Sequence, residues 1–185
     1  MRILAGKFKG KRLFAGKDLS IRPLTNRLKE NIFNILQDFV IKKKTLDLFC
    51  GSGSFGLEAL SRGALRVDFV DQAENSIKYL KTNLSNLGLE PGLYKIYHQD
   101  AMKFCLHMNI SYDLILMDPP FKFQLLQELT EQIADGKILS PKGILVVHHE
   151  LTNPLASSSE HYKLFDQRRY GRSLISFINH GDSDA

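Results

Sequence analysis

At 185 residues, 43% apolar and 24% charged, the chain is long enough for one sizeable core and too short for two comfortable ones. These proportions exclude a mainly disordered or membrane-embedded protein, and no apolar run approaches the roughly 18 residues that a spanning helix needs. Two cysteines, Cys50 and Cys105, without paired Cys/His spacing, argue against a disulfide framework and a zinc site. With no secretory apolar segment after Met1, the expectation is a cytoplasmic protein with no membrane partner and no metal.

The net charge of +5 is unevenly placed. Residues 1–44 carry 12 Lys/Arg against 3 Asp/Glu, whereas residues 45–185 carry 13 against 17. A basic arm ahead of a mildly acidic body suits a polyanion, because Lys and Arg that neutralise phosphates release counterions. A solvated lysine-rich surface is the plainer alternative.

Residues 2–14 alternate basic and apolar positions around Gly6, Gly10 and Gly16, which predicts a short hairpin. Arg22-Pro23 reads as an extended dipeptide, since the residue before proline is pushed away from helical geometry. From Thr25, a natural N-cap, Leu28, Ile32 and Leu36 recur at helical steps, with Ile35 and Phe39 on the flanking stripe, so a helix is expected to end near Val40. Past Lys42-Lys43-Lys44, short apolar runs alternate with amphipathic stretches, the pattern of β/α units around a parallel sheet. The strands are expected near 45–49, 66–71, 93–98, 113–118 and 143–148, and the helices over 55–60, 77–87 and 123–133. Two β-like runs near 162–170 and 173–179 meet at Tyr170-Gly171-Arg172 and predict a closing antiparallel hairpin.

Asp47-Leu48-Phe49-Cys50-Gly51-Ser52-Gly53 places an acid late in a buried strand, then a glycine turn into a helix. Glycines there let a ligand approach the main chain closely. With Gly56 the loop spells G-x-G-x-x-G, which NAD-binding and adenosylmethionine-binding folds share. Asp71, beside Gln72 at the end of the next strand, is placed to bond ribose hydroxyls, and Asp100, before Ala101, to bond an adenine amine. Each has a helix cap as its alternative role.

Asp118-Pro119-Pro120-Phe121 directly follows the fourth strand. Two prolines hold a rigid extended turn and remove two backbone donors, so carbonyls there can face a ligand. The tetrapeptide resembles the (Asp/Asn)-Pro-Pro-(Tyr/Phe) signature of methyltransferases that act on nitrogen conjugated to a planar ring. Such an amine is a poor nucleophile while its lone pair is delocalised. The Asp118 carboxylate and the Pro119 carbonyl can accept its two N–H bonds, and Phe121 can stack on the ring.

Across nearly its whole length the chain resembles the RsmD-type methyltransferases of small-subunit ribosomal RNA. The resemblance runs through Met1-Arg2-Ile3-Leu4-Ala5-Gly6, Arg22-Pro23-Leu24-Thr25-Asn26-Arg27, Phe33-Asn34-Ile35-Leu36, the glycine loop, Gly56-Leu57-Glu58-Ala59-Leu60-Ser61-Arg62-Gly63-Ala64, Asp118-Pro119-Pro120-Phe121 and Arg168-Arg169-Tyr170-Gly171. It implies a Rossmann-like α/β class I methyltransferase with a mostly parallel seven-stranded sheet, helices on both faces, and the antiparallel hairpin last. It also implies S-adenosylmethionine as cofactor, and as product the N2-methylated guanine of 16S ribosomal RNA (family target guanine 966) in 30S particles or their precursors.

The resulting expectation divides the chain into a basic, RNA-contacting hairpin and helix over 1–43, a methyltransferase domain over 44–180, and a frayed tail over 181–185, acting as a monomer. Expected catalytic residues are Asp118, Pro119, Pro120 and Phe121. Asp47, Phe49, Gly51, Ser52, Gly53, Asp71, Gln72, Asp100 and Ala101 are expected at the cofactor, and Lys7, Lys9, Lys11, Arg12, Arg22 and Arg27 on RNA. Cys50 stands where alanine is usual, Leu24 where threonine is common, and Asn26 and Lys29 replace Asp and Arg. His148-His149-Glu150 departs from the family's Glu-His order, so neither histidine is given a chemical role. Rival readings are a methyltransferase for another base amine such as adenine N6, an NAD-dependent oxidoreductase, and a non-catalytic ribosome-assembly factor.

Overall fold

A computed structural model describes residues 1–15, 26–135 and 138–181. Gly16, Arg22-Pro23, Thr25 and tail residues 182–185 lie outside the described residues. Beyond the first segment come α1 (Asn26–Leu36), β1 (Lys44–Leu48), α2 (Ser54–Ser61), β2 (Arg66–Asp71), α3 (Glu74–Asn86), β3 (Tyr94–His98), α4 (Ala101–His107), β4 (Tyr112–Met117), α5 (Leu126–Ala134), β5 (Leu139–Glu150), β6 (Tyr162–Tyr170) and β7 (Ser173–His180).

The seven strands form one sheet in the order β3-β2-β1-β4-β5-β7-β6. The five strands from β3 to β5 run parallel, while β7 is antiparallel to both β5 and β6. The expected Rossmann-like architecture with its terminal hairpin is therefore present. Strand β4 reads as an unbroken apolar run from Leu114 to Met117 because both of its faces are covered. In β4, Leu114 and Leu116 join the core shared with α1, α2 and the N-terminal segment, whereas Ile115 and Met117 join the core beneath α4 and α5. Successive strand side chains point to opposite faces, so this alternation follows from the pleat.

Several boundaries differ from expectation for local reasons. The first helix gives way to a 3-10 turn over Gln37–Val40, with Gln37 in the left-handed region at φ 45°. Helix α3 starts three residues early because its first turn, Glu74-Asn75-Ser76, carries no apolar signal. Helix α4 is too short, at seven residues, to display a helical period. Strand β5 extends to twelve residues, with an irregular pairing at its start.

The N-terminal hairpin is present in reduced form, as a single antiparallel bridge between Arg2 and Arg12 flanked by Ile3–Lys11 and Leu13–Met1 hydrogen bonds. Ile3 and Leu13 are buried in the main core, so the segment is docked along its length.

Candidate active site

The loops after β1, β2, β3 and β4 emerge at the same edge of the parallel sheet. β1 lies between β2 and β4, and in open α/β sheets ligands bind at such a C-terminal edge. After Leu48 the chain passes through three left-handed residues in alternation, Phe49 (φ 58°), Gly51 (φ 54°) and Gly53 (φ 85°). At Gly53 a Cβ would stand 2.5 Å from Leu80 Cδ1, so a side chain there would displace that methyl as well as strain the left-handed backbone. At Gly51 a Cβ would meet nothing within 4 Å, which leaves the main chain open to a ligand.

Asp71 ties this loop to its neighbour. One carboxylate oxygen accepts the Gly51 N–H at 2.8 Å and the other accepts the Ala73 N–H at 2.8 Å. Asp47 is sealed beneath the loop, where it accepts the Gly56 N–H at 2.8 Å in the first turn of α2. Burial pushes its carboxyl well above the usual range, against the pull of that N–H, and the nearby Asp118 and Asp71 push in the same direction as burial. Gln72 is exposed, and its carbonyl bonds His98 Nε2 at 3.0 Å. Asp100 caps α4 by accepting the Lys103 N–H at 3.0 Å, with Ala101 buried as the first helical residue. The alternative role anticipated for Asp100 is thus filled, and the residue follows β3 at the same sheet edge as Asp71.

Asp118, the first residue past β4, donates its backbone N–H to Leu48 at 3.4 Å, which sets the double-proline corner directly beside the glycine loop. Pro119 is buried and Pro120 exposed. The Pro120 carbonyl is taken by the Phe123 N–H at 2.8 Å, so the turn closes on itself and that carbonyl is not offered to a ligand. Asp118 Oδ1 lies 2.7 Å from His148 Nδ1, a contact that sequence spacing did not suggest. The Phe121 ring meets the same imidazole edge-on, 5.8 Å between centroids at 76°.

Residues 1–179 match the family model described as Conserved hypothetical protein 95. Ribosomal RNA small subunit methyltransferase D of Haemophilus influenzae is 31% identical over 173 residues, spanning 92% of this chain and 89% of that protein. The chain belongs to this RsmD family. Among solved structures, an Escherichia coli protein named as a methyltransferase superposes with a TM-score of 0.87 at 28% identity, covering 97% of each chain. A structure named as a methyltransferase and complexed with SAH is alike in fold alone, with a TM-score of 0.65 at 17% identity over 78% of this chain and 48% of that one.

In this RsmD-family chain the basic arm is anchored by Glu58, which is fully buried on α2. Its carboxylate accepts the Leu4 and Ala5 N–H groups at 2.9 and 3.1 Å and pairs with Lys29 at 3.2 Å and Arg62 at 2.8 Å. Lys29, itself fully buried, also bonds the Arg2 carbonyl and the Ser54 hydroxyl. Burial lowers the Lys29 pKa and Glu58 holds it up.

Lys7, Lys9, Lys11, Arg12 and Arg27 are exposed, as RNA contacts require, and Arg22 lies outside the described residues. They do not share one site. The Gly6–Gly10 tip bonds Ser61 at the far end of α2, about 10 Å along the helix axis from Ser54 beside the glycine loop. Lys11 and Arg12 sit on the returning limb toward the ligand edge, where the Phe14 N–H bonds Asn83 and Asn83 in turn bonds Ser52.

His149 is structural. Its Nδ1 bonds the Asn153 carbonyl at 2.8 Å and its Nε2 bonds the Ser176 hydroxyl at 2.9 Å. Asn153 in turn holds the Phe123 carbonyl at 3.1 Å, behind the double-proline corner.

Proposed function

We propose that this protein transfers the methyl group of S-adenosylmethionine to the exocyclic N2 amine of a guanine in 16S ribosomal RNA, the family's position 966, within small-subunit particles. The observation that carries the reading is the adjacency of two corners: the open glycine turn after β1 and Asp118-Pro119-Pro120-Phe121 after β4, joined through the Asp118–Leu48 backbone bond. Membership of the RsmD family supports ribosomal RNA as the substrate class.

The residues present fit the cofactor. The bare face of Gly51 admits a ligand to the main chain between Phe49 and Gly53, with Ser52 in the same turn. Asp71 and Asp100 bring carboxylate oxygens to the edge where ribose hydroxyls and an adenine amine need acceptors, next to Gln72 and Ala101. When bound, S-adenosylmethionine supplies an electrophilic methyl group.

The chain's own residues do the rest. Asp118 and the Pro119 carbonyl accept the two amine N–H bonds, which orients the nitrogen and stabilises the positive charge that develops on it. Phe121 stacks on the base. Asp118 is also the nearest acceptor for the proton that leaves once the nitrogen is methylated. A paired base cannot present its amine to this corner, so the target is unpaired or extruded. Lys11, Arg12 and Arg27 contact flanking phosphates, and Lys7 and Lys9 extend that footprint away from the cleft.

The test is incubation of the protein with methyl-labelled S-adenosylmethionine and small-subunit particles lacking the modification, followed by mass spectrometry of RNA nucleosides. Label on N2-methylguanosine is expected, and D118A should abolish it. Label on N6-methyladenosine would reassign the base, and an active D118A would remove Asp118 from the mechanism.

A further inference from the structure

We propose that His148 is a positioning residue for Asp118, locking the carboxylate so that one oxygen is held by the protein and the other is presented to the substrate amine. The proposal rests on the role given to Asp118 above.

Three observations converge on it. The His148 Nδ1 to Asp118 Oδ1 distance is 2.7 Å, in the range of a charge-assisted hydrogen bond. The imidazole is nine-tenths buried, and its Nε2 finds no hydrogen-bond partner among the described residues. The Phe121 ring stands edge-on against it, so His148 touches both side chains meant to grip the base.

The contact with the carboxylate sets which ring nitrogen donates. A carboxylate only accepts, so Nδ1 carries the hydrogen. His148 therefore acts on Asp118 as a donor through Nδ1.

With Oδ1 held, the Asp118 side chain is fixed in one rotamer and Oδ2 is left for the amine. The sheet enforces this. Val147 pairs with Met117 across β4 and β5, so the residues that follow them, His148 within β5 and Asp118 just past β4, stand side by side. On its other flank His148 pairs with Ile175 of β7, which is itself buried. The other charged or titratable groups nearby are Asp47 from β1, close to Asp118, and His149 and Glu150 along β5, with Glu150 paired to Arg172. None of these is placed by the structure on either His148 nitrogen.

The test uses the full-length protein in single-turnover methyl transfer to small-subunit particles, with S-adenosylhomocysteine affinity and thermal midpoint measured on each variant. The side-chain amide nitrogen of H148N falls where Nδ1 was and can still donate to Oδ1, whereas H148Q places its amide one atom further out and H148L has no donor. H148L and H148Q should lower the transfer rate by about ten- to hundredfold, as expected for loss of one bond to a charged group. H148N should stay within about threefold of wild type, and cofactor affinity should be unchanged in all three.

Equal loss in H148N, H148Q and H148L, loss that follows thermal midpoint or cofactor affinity, or no loss in any of them would overturn the proposal. If D118A itself turns over like wild type, the reading of the active site fails first, and the two failures are told apart.

Discussion

Replacing Glu58 by alanine should unseat the N-terminal arm and cost more stability than any surface change. The carboxylate is fully buried and takes four donors: two backbone N–H groups of the arm, the Lys29 ammonium and the Arg62 guanidinium. Removing one partner of a buried ion pair costs about 3–5 kcal/mol. Lys29 keeps the Arg2 carbonyl and Ser54 hydroxyl, and its already lowered pKa lets it shed its proton, which favours the low end of that range. Two partly buried N–H groups left without an acceptor add roughly 1–3 kcal/mol between them.

The total of about 4–6 kcal/mol corresponds to a fall of roughly 10–20 °C in Tm for a chain of this length. Calorimetry gives the Tm, and hydrogen exchange should show Leu4 and Ala5 losing protection first. The double variant K29M/E58L removes both charges and fills the space, so it should recover most of the loss. An E58A protein within 3 °C of wild type, or a double variant as unstable as the single, would refute this account of how the arm is held.

Reversing the charges of Lys11 and Arg12 should weaken RNA affinity and lower the salt slope by about two, measured by binding titrations at several ionic strengths. Reversing Lys7 and Lys9, farther along α2, should do less, and equal effects would mean that the footprint is not centred on the ligand edge. Burial lowers the pKa of His149 below its ordinary 6.5, so the unfolded chain binds a proton there before the folded one does. Stability should then fall as pH drops below about 6.5 toward the folded value, and H149Q should flatten that part of the Tm profile. G56A should destabilise by about 1–3 kcal/mol through overpacking, offset in part by helix propensity. The cause is a new Cβ only 2.3 Å from the Phe69 ring and 2.7 Å from Val67 Cγ1, and a denaturant melt with unchanged midpoint would count against it.

Much of this architecture was legible in the chain because parallel strands buried on both faces leave dense apolar runs, as in Asp113-Leu114-Ile115-Leu116-Met117, and because glycine and proline mark the corners between them. The glycine loop and the double-proline turn were visible for the same local reason. What escaped was contact between distant positions. His148 and Asp118 are 30 residues apart and meet only through the register of β4 with β5. Lys29 and Glu58 meet only because α1 packs on α2, and nothing in their neighbours' periodicity distinguishes them from surface charges. Helix α4 shows no period because seven residues hold less than two turns of pattern, and only the alternative reading of Asp100 as a helix cap points to it. The basic arm was recognised from composition, but its direction along α2, which separates Lys7 and Lys9 from the cleft, depends on the docking of Gly6 against Ser61.

The most direct measurement is a structure of the protein with S-adenosylmethionine and a short unpaired guanosine oligonucleotide. The donor methyl should point from the Gly51 turn toward an exocyclic amine held by Asp118 Oδ2 and the Pro119 carbonyl. A methyl directed elsewhere, or a base bound away from Asp118 and Phe121, would contradict the account.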